Sequence, residues 1–243
     1  MKPFVQLTAA AVSLAALTLH GERVRCLSEP VDDVQMSSTV EGMIAAIHFG
    51  EGSFVEKGDV ILELESRSES LDVERRAVLV DTLKSKWETS EKLLESTSAI
   101  SSEEVDDARS DYRIAALELE LAEDALDKKR IRAPFSGTVT NVPIEVGEYC
   151  EPPQILLRIV DTRQFYCVAN IDPQLASRLK IGDSVSFEVE GRSDVSRFDG
   201  EIVFISPVVD PASGLLRVKA LFENSDKKVR PGEGGYLEFE TEG

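Results

Sequence analysis

Hydrophobic and polar positions recur along this chain with two different periods. Gly42, Ile44, Ile47, Phe49, Gly52, Val60, Leu62 and Leu64 are matched by Gly137, Val139, Val142, Ile144, Gly147, Ile155, Leu157 and Ile159, every pair 95 residues apart. Each copy is an alternating apolar run, a glycine-containing turn (Gly50-Glu51-Gly52 in one, Val146-Gly147-Glu148 in the other) and a second alternating run. That pattern is strand, turn, strand. A lone hairpin is marginal in water, so the two halves are expected to pack face to face as one flattened β-sandwich.

Between the halves, residues 67–130 contain no glycine and no proline, and the period changes. Val73, Arg76, Val80, Leu83, Trp87, Ser90, Leu94 and Thr97 follow steps of three and four, and so do Val105, Ala108, Tyr112, Ala115, Leu119, Ala122, Leu126 and Lys129. A seam repeating every 3.5 residues demands a partner helix wound left-handedly against it, and the nearest partner is the other half of the insert. Ser101 and Glu104 form a capping-box pair, with Ile100 and Val105 as a hydrophobic staple. The insert therefore predicts an antiparallel hairpin of roughly 40 Å with its tip at about 96–101. Arg76, Ser90, Thr97 and Lys129 on the seam make it weaker than a dedicated zipper. It is either a spacer or an arm whose capped tip docks into another protein.

The flanks complete the order. Lys2 followed by the apolar stretch Phe4–Leu19 reads as a secretory signal or a retained N-terminal anchor over residues 1–21, which would place the rest outside the cytoplasm. Residues 22–40 read as one or two strands broken by Pro30 and Asp32-Asp33. After 131–161, a third module over 162–243 shows strands at Phe165–Ile171, Ser184–Val189, Phe198–Ile205, Leu215–Phe222 and Tyr236–Phe239. A short helix opens at Asp172-Pro173 and runs through Leu179. A strand near Val24 or Val31 would supply a sixth, closing a small antiparallel barrel that has no free edges.

Composition adds limits. The net charge of −18 over 243 residues argues against nucleic acid or an anionic membrane as partner. Cys26, Cys150 and Cys167 form no Cys-x-x-Cys, which leaves one disulfide with a spare thiol or three reduced thiols, and no metal site. His20 and His48 have no nucleophile at a recognisable spacing, and Gly232-Glu233-Gly234-Gly235 lacks the context of a phosphate cradle. Neither an enzyme nor a cofactor is expected.

The half-repeats resemble the biotinyl/lipoyl carrier domain. The helices enter where that domain's modified lysine would sit, after Glu63-Leu64-Glu65, and no Asp-Lys-Ala or Met-Lys-Met stands there. The fold class is thus mainly β with an α-helical hairpin: a split lipoyl-like β-sandwich (41–66 and 131–161) interrupted by an antiparallel coiled-coil hairpin (67–130) and followed by a small antiparallel β-barrel. Four passages carry a wider resemblance: Val40-Glu41-Gly42-Met43-Ile44 with Glu51 to Asp59; Ile131-Arg132-Ala133-Pro134-Phe135-Ser136-Gly137-Thr138-Val139; Ile205-Ser206-Pro207-Val208-Val209-Asp210-Pro211; and Val229-Arg230-Pro231-Gly232. In this order the chain resembles the periplasmic adaptor subunits, or membrane fusion proteins, of tripartite efflux pumps, most closely those of the resistance-nodulation-division type.

The resemblance implies a non-enzymatic protein of the periplasm, associated with the inner membrane, that forms a homo-oligomeric ring and bridges an inner-membrane transporter to an outer-membrane channel. In that family the hairpin tip carries an Arg, a Leu four residues on and a Ser seven beyond it. Leu94 and Ser101 keep the second spacing, while Ser90 stands in the Arg position, so the bidentate cation is missing. With Thr97 and Ser98 they make the implied partner contact: Ser90, Leu94, Thr97, Ser98 and Ser101. The family often has a membrane-proximal domain after the barrel. This chain stops at Gly243, so part of the usual transporter contact is expected to be absent or made differently. Two alternatives remain open, an adaptor of an ATP-driven exporter or secretion system and a free-standing extracytoplasmic coiled-coil binding module.

Overall fold

The computed structural model describes residues 22–97, 100–191 and 197–239; the expected signal or anchor segment and Ser98 lie outside them. The chain divides into two compact units, one built from the stretch ending at Glu29 together with the stretch from Arg163 onward, the other from Pro30–Thr162.

In the second unit the two half-repeats become β2 (Gly42–Ile47), β3 (Phe54–Val55) and β4 (Val60–Leu64), then β6 (Gly137–Asn141), β7 (Tyr149–Cys150) and the start of β8 (Ile155–Ile171), with β5 (Arg130–Arg132) ahead of the second copy. They do not fold as separate hairpins that meet. One sheet runs β5-β4-β2-β7, and β6 lies between β3 and β8 in the other, so each layer takes strands from both copies. The exchange obeys a two-fold rule residue by residue. Gly42 pairs with Cys150 and Met43 with Tyr149; 95 residues away Gly137 pairs with Val55 and Thr138 with Phe54. The Ile44 amide donates to the Glu148 carbonyl at 2.8 Å, and the Val139 amide to that of Ser53 at 2.9 Å. Even the irregularity between Ile44 and Ala46 against β4 recurs between Val139 and Asn141 against β8. Gly52 (φ 85°) and Gly147 (φ 90°) occupy equivalent turns in the left-handed region, which costs glycine least.

Two apolar clusters fill this unit, one around Ile44, Leu62, Leu64, Ile144 and Leu156, the other around Val55, Ile61, Val139, Leu157 and Ile159. The hairpin, α1 (Arg67–Thr97) and α2 (Ser102–Asp127), leaves after β4 and returns at β5. Lys129 fastens its base: Nζ donates to the Glu41 carbonyl at 3.0 Å and lies 3.1 Å from the Glu69 carboxylate.

The first unit is a barrel. β1 (Glu22–Ser37), β12 (Gly234–Phe239), β9 (Ser184–Val189), β10 (Arg197–Ile205), β11 (Leu216–Glu223) and β8 follow in that order, and β1 also pairs with β8, closing six strands. Val24 pairs with Leu237, and the expected sixth strand is β1, which carries both Val24 and Val31. Phe165, Phe187, Phe222 and Phe239 are buried inside.

One local expectation is narrowed, from one or two strands to one, and another changes. Residues 22–37 form one strand, uninterrupted at Pro30, because proline removes one donor but its fixed φ suits an extended chain. Helix α3 stops at Ala176 (Pro173–Ala176), and the chain reaches Leu179 through tighter bonds, with the Arg178 amide donating to Leu175 and the Leu179 amide to Ala176. Of the two cysteine arrangements left open, the structure has the second: all three thiols are free and buried.

Candidate functional site: the helical hairpin and its tip

The counted seam is the buried face of the hairpin. Val105, Ala108, Ala115 and Ala122 are buried on α2, and on α1 Val73, Arg76, Val80, Leu83, Trp87, Ser90 and Leu94 are half-buried. Alanine on one side faces larger residues on the other, which brings the helices close. Trp87 stacks on Tyr112 with ring centroids 5.5 Å apart and planes within 14°, and the Arg109 guanidinium lies 5.9 Å from the indole. The indole Nε1 is buried without a hydrogen-bond partner, a desolvation cost the stack has to offset.

The charged seam positions are satisfied by ion pairs. Arg76 donates to Asp72 on its own helix and to Glu118 on α2, both at 2.8 Å. Hydrogen bonds from Arg76 and then Arg75 hold the Asp72 carboxyl below the usual carboxylate range. Lys86 lies 3.5 Å from Asp111 and Lys129 3.1 Å from Glu69. These contacts set which residues of the two helices stand level with one another.

At the tip the capping box forms in both directions. The Glu104 amide donates to Ser101 Oγ at 3.2 Å, and the Ser101 amide donates to Glu104 Oε2 at 3.0 Å. Ile100 is half-buried and Val105 buried, as a staple requires. Among the implied contact residues, Ser90 and Leu94 sit half-buried on the seam, Thr97 is the last residue of α1, and Ser101 is the N-cap of α2. Ser90 and Leu94 thus pack partly on the seam and keep part of their surface outward. Leu93, exposed beside Leu94, is an apolar tip residue that counting the seam passes over; its signal is a large apolar side chain one step off the 3.5-residue repeat.

Among the described residues no group of three or more His, Cys, Asp or Glu side chains is placed to hold a metal ion. His48 Nε2 lies 3.7 Å from Glu63 on an exposed strand surface. The glycine-rich stretch after Arg230 is a barrel turn, in which the Gly232 amide donates to the Ser28 carbonyl at 2.7 Å. No helix among the described residues is long and apolar enough to cross a membrane.

Comparison with known proteins agrees with this architecture. The family model for the CzcB-like barrel-sandwich hybrid domain matches residues 33–161, and that for the CusB-like β-barrel domain matches residues 167–243. An uncharacterised protein of Haemophilus influenzae is 26% identical over 200 residues, covering 82% of this chain and 52% of its own length. Multidrug resistance protein MdtA of Xenorhabdus bovienii is 23% identical over 227 residues, covering 84% and 54%. The chain spans about half to two thirds of the length of such curated relatives. Among solved structures, a MacA–MexA chimera containing the Pseudomonas aeruginosa MexA α-hairpin domain superposes with a TM-score of 0.78 at 19% identity, covering 91% of this chain and 79% of the other, and so shares the fold. With a two-fold sandwich, an inserted hairpin and a six-stranded barrel in matching order, the chain belongs to the membrane fusion proteins of resistance-nodulation-division efflux pumps.

Proposed function

We propose that this chain is a non-enzymatic periplasmic adaptor, held at the inner membrane, that bridges an efflux transporter there to an outer-membrane channel as part of a homo-oligomeric ring. The observation that carries this reading is the hairpin itself. It is fastened at its base by Lys129, clasped along its length by Arg76 and Glu118, and ended by a reciprocal capping box. A helical arm held this firmly at both ends is built to present its tip. The tip residues Ser90, Leu94, Thr97, Ser98 and Ser101 are its contact with the outer-membrane channel, with Ser90 in place of a bidentate cation. Work is done by position: the arm spans a distance, and transported molecules pass along the axis of the assembled ring.

Site-directed crosslinking in cells tests this. With Thr97→Cys or Ser98→Cys, a bifunctional thiol reagent is expected to capture an outer-membrane channel protein. The three native thiols are buried and do not compete. Capture of soluble proteins alone, with no outer-membrane protein at either position, would overturn the assignment.

A further inference from the structure

The hairpin is fastened at its base and capped at its tip, but its middle is built differently. Toward the base three ion pairs cross from helix to helix: Glu69 with Lys129 at 3.1 Å, Arg76 with Glu118 at 2.8 Å and Lys86 with Asp111 at 3.5 Å. Levelled by those pairs, to within a turn of helix, Val73 stands by Leu126 and Val80 by Leu119. All four are half-buried, so large apolar side chains from both helices share the seam there. Beyond Lys86 and Asp111 no further ion pair joins the helices among the described residues. The next layer toward the tip sets Ser90 by Ala108, a hydroxymethyl by a methyl. Only Leu94 by Val105 restores bulk before the cap at Ser101 and Glu104.

Trp87 and Tyr112 mark the junction of these two stretches. Trp87 Nε1 is the one buried side-chain polar atom without a hydrogen-bond partner among the described residues. An indole N–H sealed from water costs the straight hairpin free energy that an opening wide enough for one water would recover. The backbone is weakened at the same level. On α1 Thr82, Ser85 and Thr89 donate to the carbonyls four residues before them, at 2.8, 2.9 and 2.7 Å. On α2 Ser110, level with Thr89, donates to the Asp106 carbonyl at 2.8 Å. Hydroxyls bonded back in this way compete with the helix ladder and bend helices. Among the described residues, α1 before Thr82 has no such bond, and α2 after Ser110 contains neither serine nor threonine.

We propose that the hairpin pivots at Trp87 and Tyr112: the part of α1 beyond Trp87 and the part of α2 ahead of Tyr112 tilt together on a fixed stem, and in the tilted form the stack parts and water reaches Trp87 Nε1. The straight form keeps the stacked rings and the Arg109 guanidinium 5.9 Å from the indole; the tilted form gains the missing hydrogen bond. Neither gives up a stem ion pair or the cap, so the two lie close in free energy and a contact at the tip can select between them. The pivot stands on the hairpin alone, whatever the tip meets.

Distances between spin labels on the full chain test it, the labels attached to introduced cysteines while the three native thiols stay buried. Ser68→Cys with Lys84→Cys lies within the stem, and Leu79→Cys with Glu95→Cys spans the pivot. Both pairs are sixteen residues apart on α1 (68 to 84, 79 to 95), about 24 Å along a straight helix. The stem pair is expected to give one narrow distance, and the spanning pair a broad or two-peaked distribution reaching shorter values. Trp87→Phe keeps a stacked ring and removes the orphaned N–H. It should narrow the spanning pair to the straight-helix distance and slow amide exchange over residues 84–90 several-fold. Ser85→Ala with Thr89→Ala, both on the exposed surface, should act in the same direction without touching the seam. Equally narrow distances for both pairs would overturn the pivot. So would faster exchange and a broader spanning pair in Trp87→Phe, which would mean that the indole only fills the seam. A spanning pair equally broad in the parent and in both variants would mean fraying at the end of α1, and would overturn it as well.

Discussion

A Cβ on Gly137 would come within 2.8 Å of the Val160 carbonyl oxygen. At Gly42, its two-fold equivalent, the nearest atom to an added Cβ is Lys129 Nζ at 3.4 Å, with Leu64 Cβ at 3.5 Å. The two copies thus share a pairing rule but not a packing density. Gly137→Ala is expected to destabilise the unit by about 1–3 kcal/mol, the range for forcing a group into a filled backbone contact. Gly42→Ala should stay within about 0.5 kcal/mol. Urea unfolding of the two variants checks this, and equal losses would contradict the asymmetry.

Arg158 on β8 grips Asp33 on β1 with two parallel bonds, Nε to Oδ1 at 2.7 Å and Nη2 to Oδ2 at 2.5 Å. The Arg158 hydrogen bonds hold the Asp33 carboxyl below its ordinary value, outweighing the opposing effect of burial. A carboxylate with a depressed folded pKa stabilises the fold above the unfolded value of about 3.9, and that contribution is lost as pH falls through the lower folded value. Asp33→Asn should therefore lower the urea midpoint at neutral pH by a modest amount, since both side chains are about a third exposed or more and solvent screens the pair. The gap between variant and parent should close as pH drops below 4. A gap unchanged down to pH 2 would mean that the ion pair is not its source.

Much of this was legible in the sequence because the relevant signals are local. Alternation and turn glycines marked the half-repeats, and the 95-residue offset holds through the pairing itself, from Gly42 with Cys150 to Gly137 with Val55. The 3.5-residue seam was readable for the same reason, and Val105 and Ala108 are buried where it put them. The exchange of β3 and β7 between layers was not readable, because strands only two residues long take their partners from the closure of the whole unit. Pro30 reads locally as a break, yet the strand continues through it. At the tip the resemblance points to Ser90 and Leu94, which are half-buried on the seam, and passes over Leu93, whose exposure depends on where the second helix lies.

Thiol chemistry should separate the fold from its unfolded chain sharply. Burial, and then the neighbouring Cys26 thiol, push the Cys167 thiol far up, so it stays protonated across the working pH range, and the thiolate is the reactive form. Cys26, Cys150 and Cys167 are all buried. Maleimide at pH 8 is expected to label none of them in the native protein and all three after denaturation without reductant, read as mass increments. A single label on the denatured, unreduced chain would reveal a disulfide.

Ser101 carries two roles that one substitution series can separate. As N-cap it accepts from the Glu104 amide and opens α2; as a tip residue it is part of the proposed channel contact. Ser101→Ala removes the cap acceptor, which is expected to cost about 1 kcal/mol of helix stability and to speed amide exchange over the first turn of α2. Ser101→Asp restores the acceptor and adds a negative charge at the positive end of the helix dipole, so exchange should return to the parent rate or slower. If the hydroxyl also touches the channel, crosslinking from Thr97→Cys falls in both variants, because aspartate repairs the helix but not the contact. If crosslinking recovers with aspartate, Ser101 acts on the partner only by holding the tip in shape.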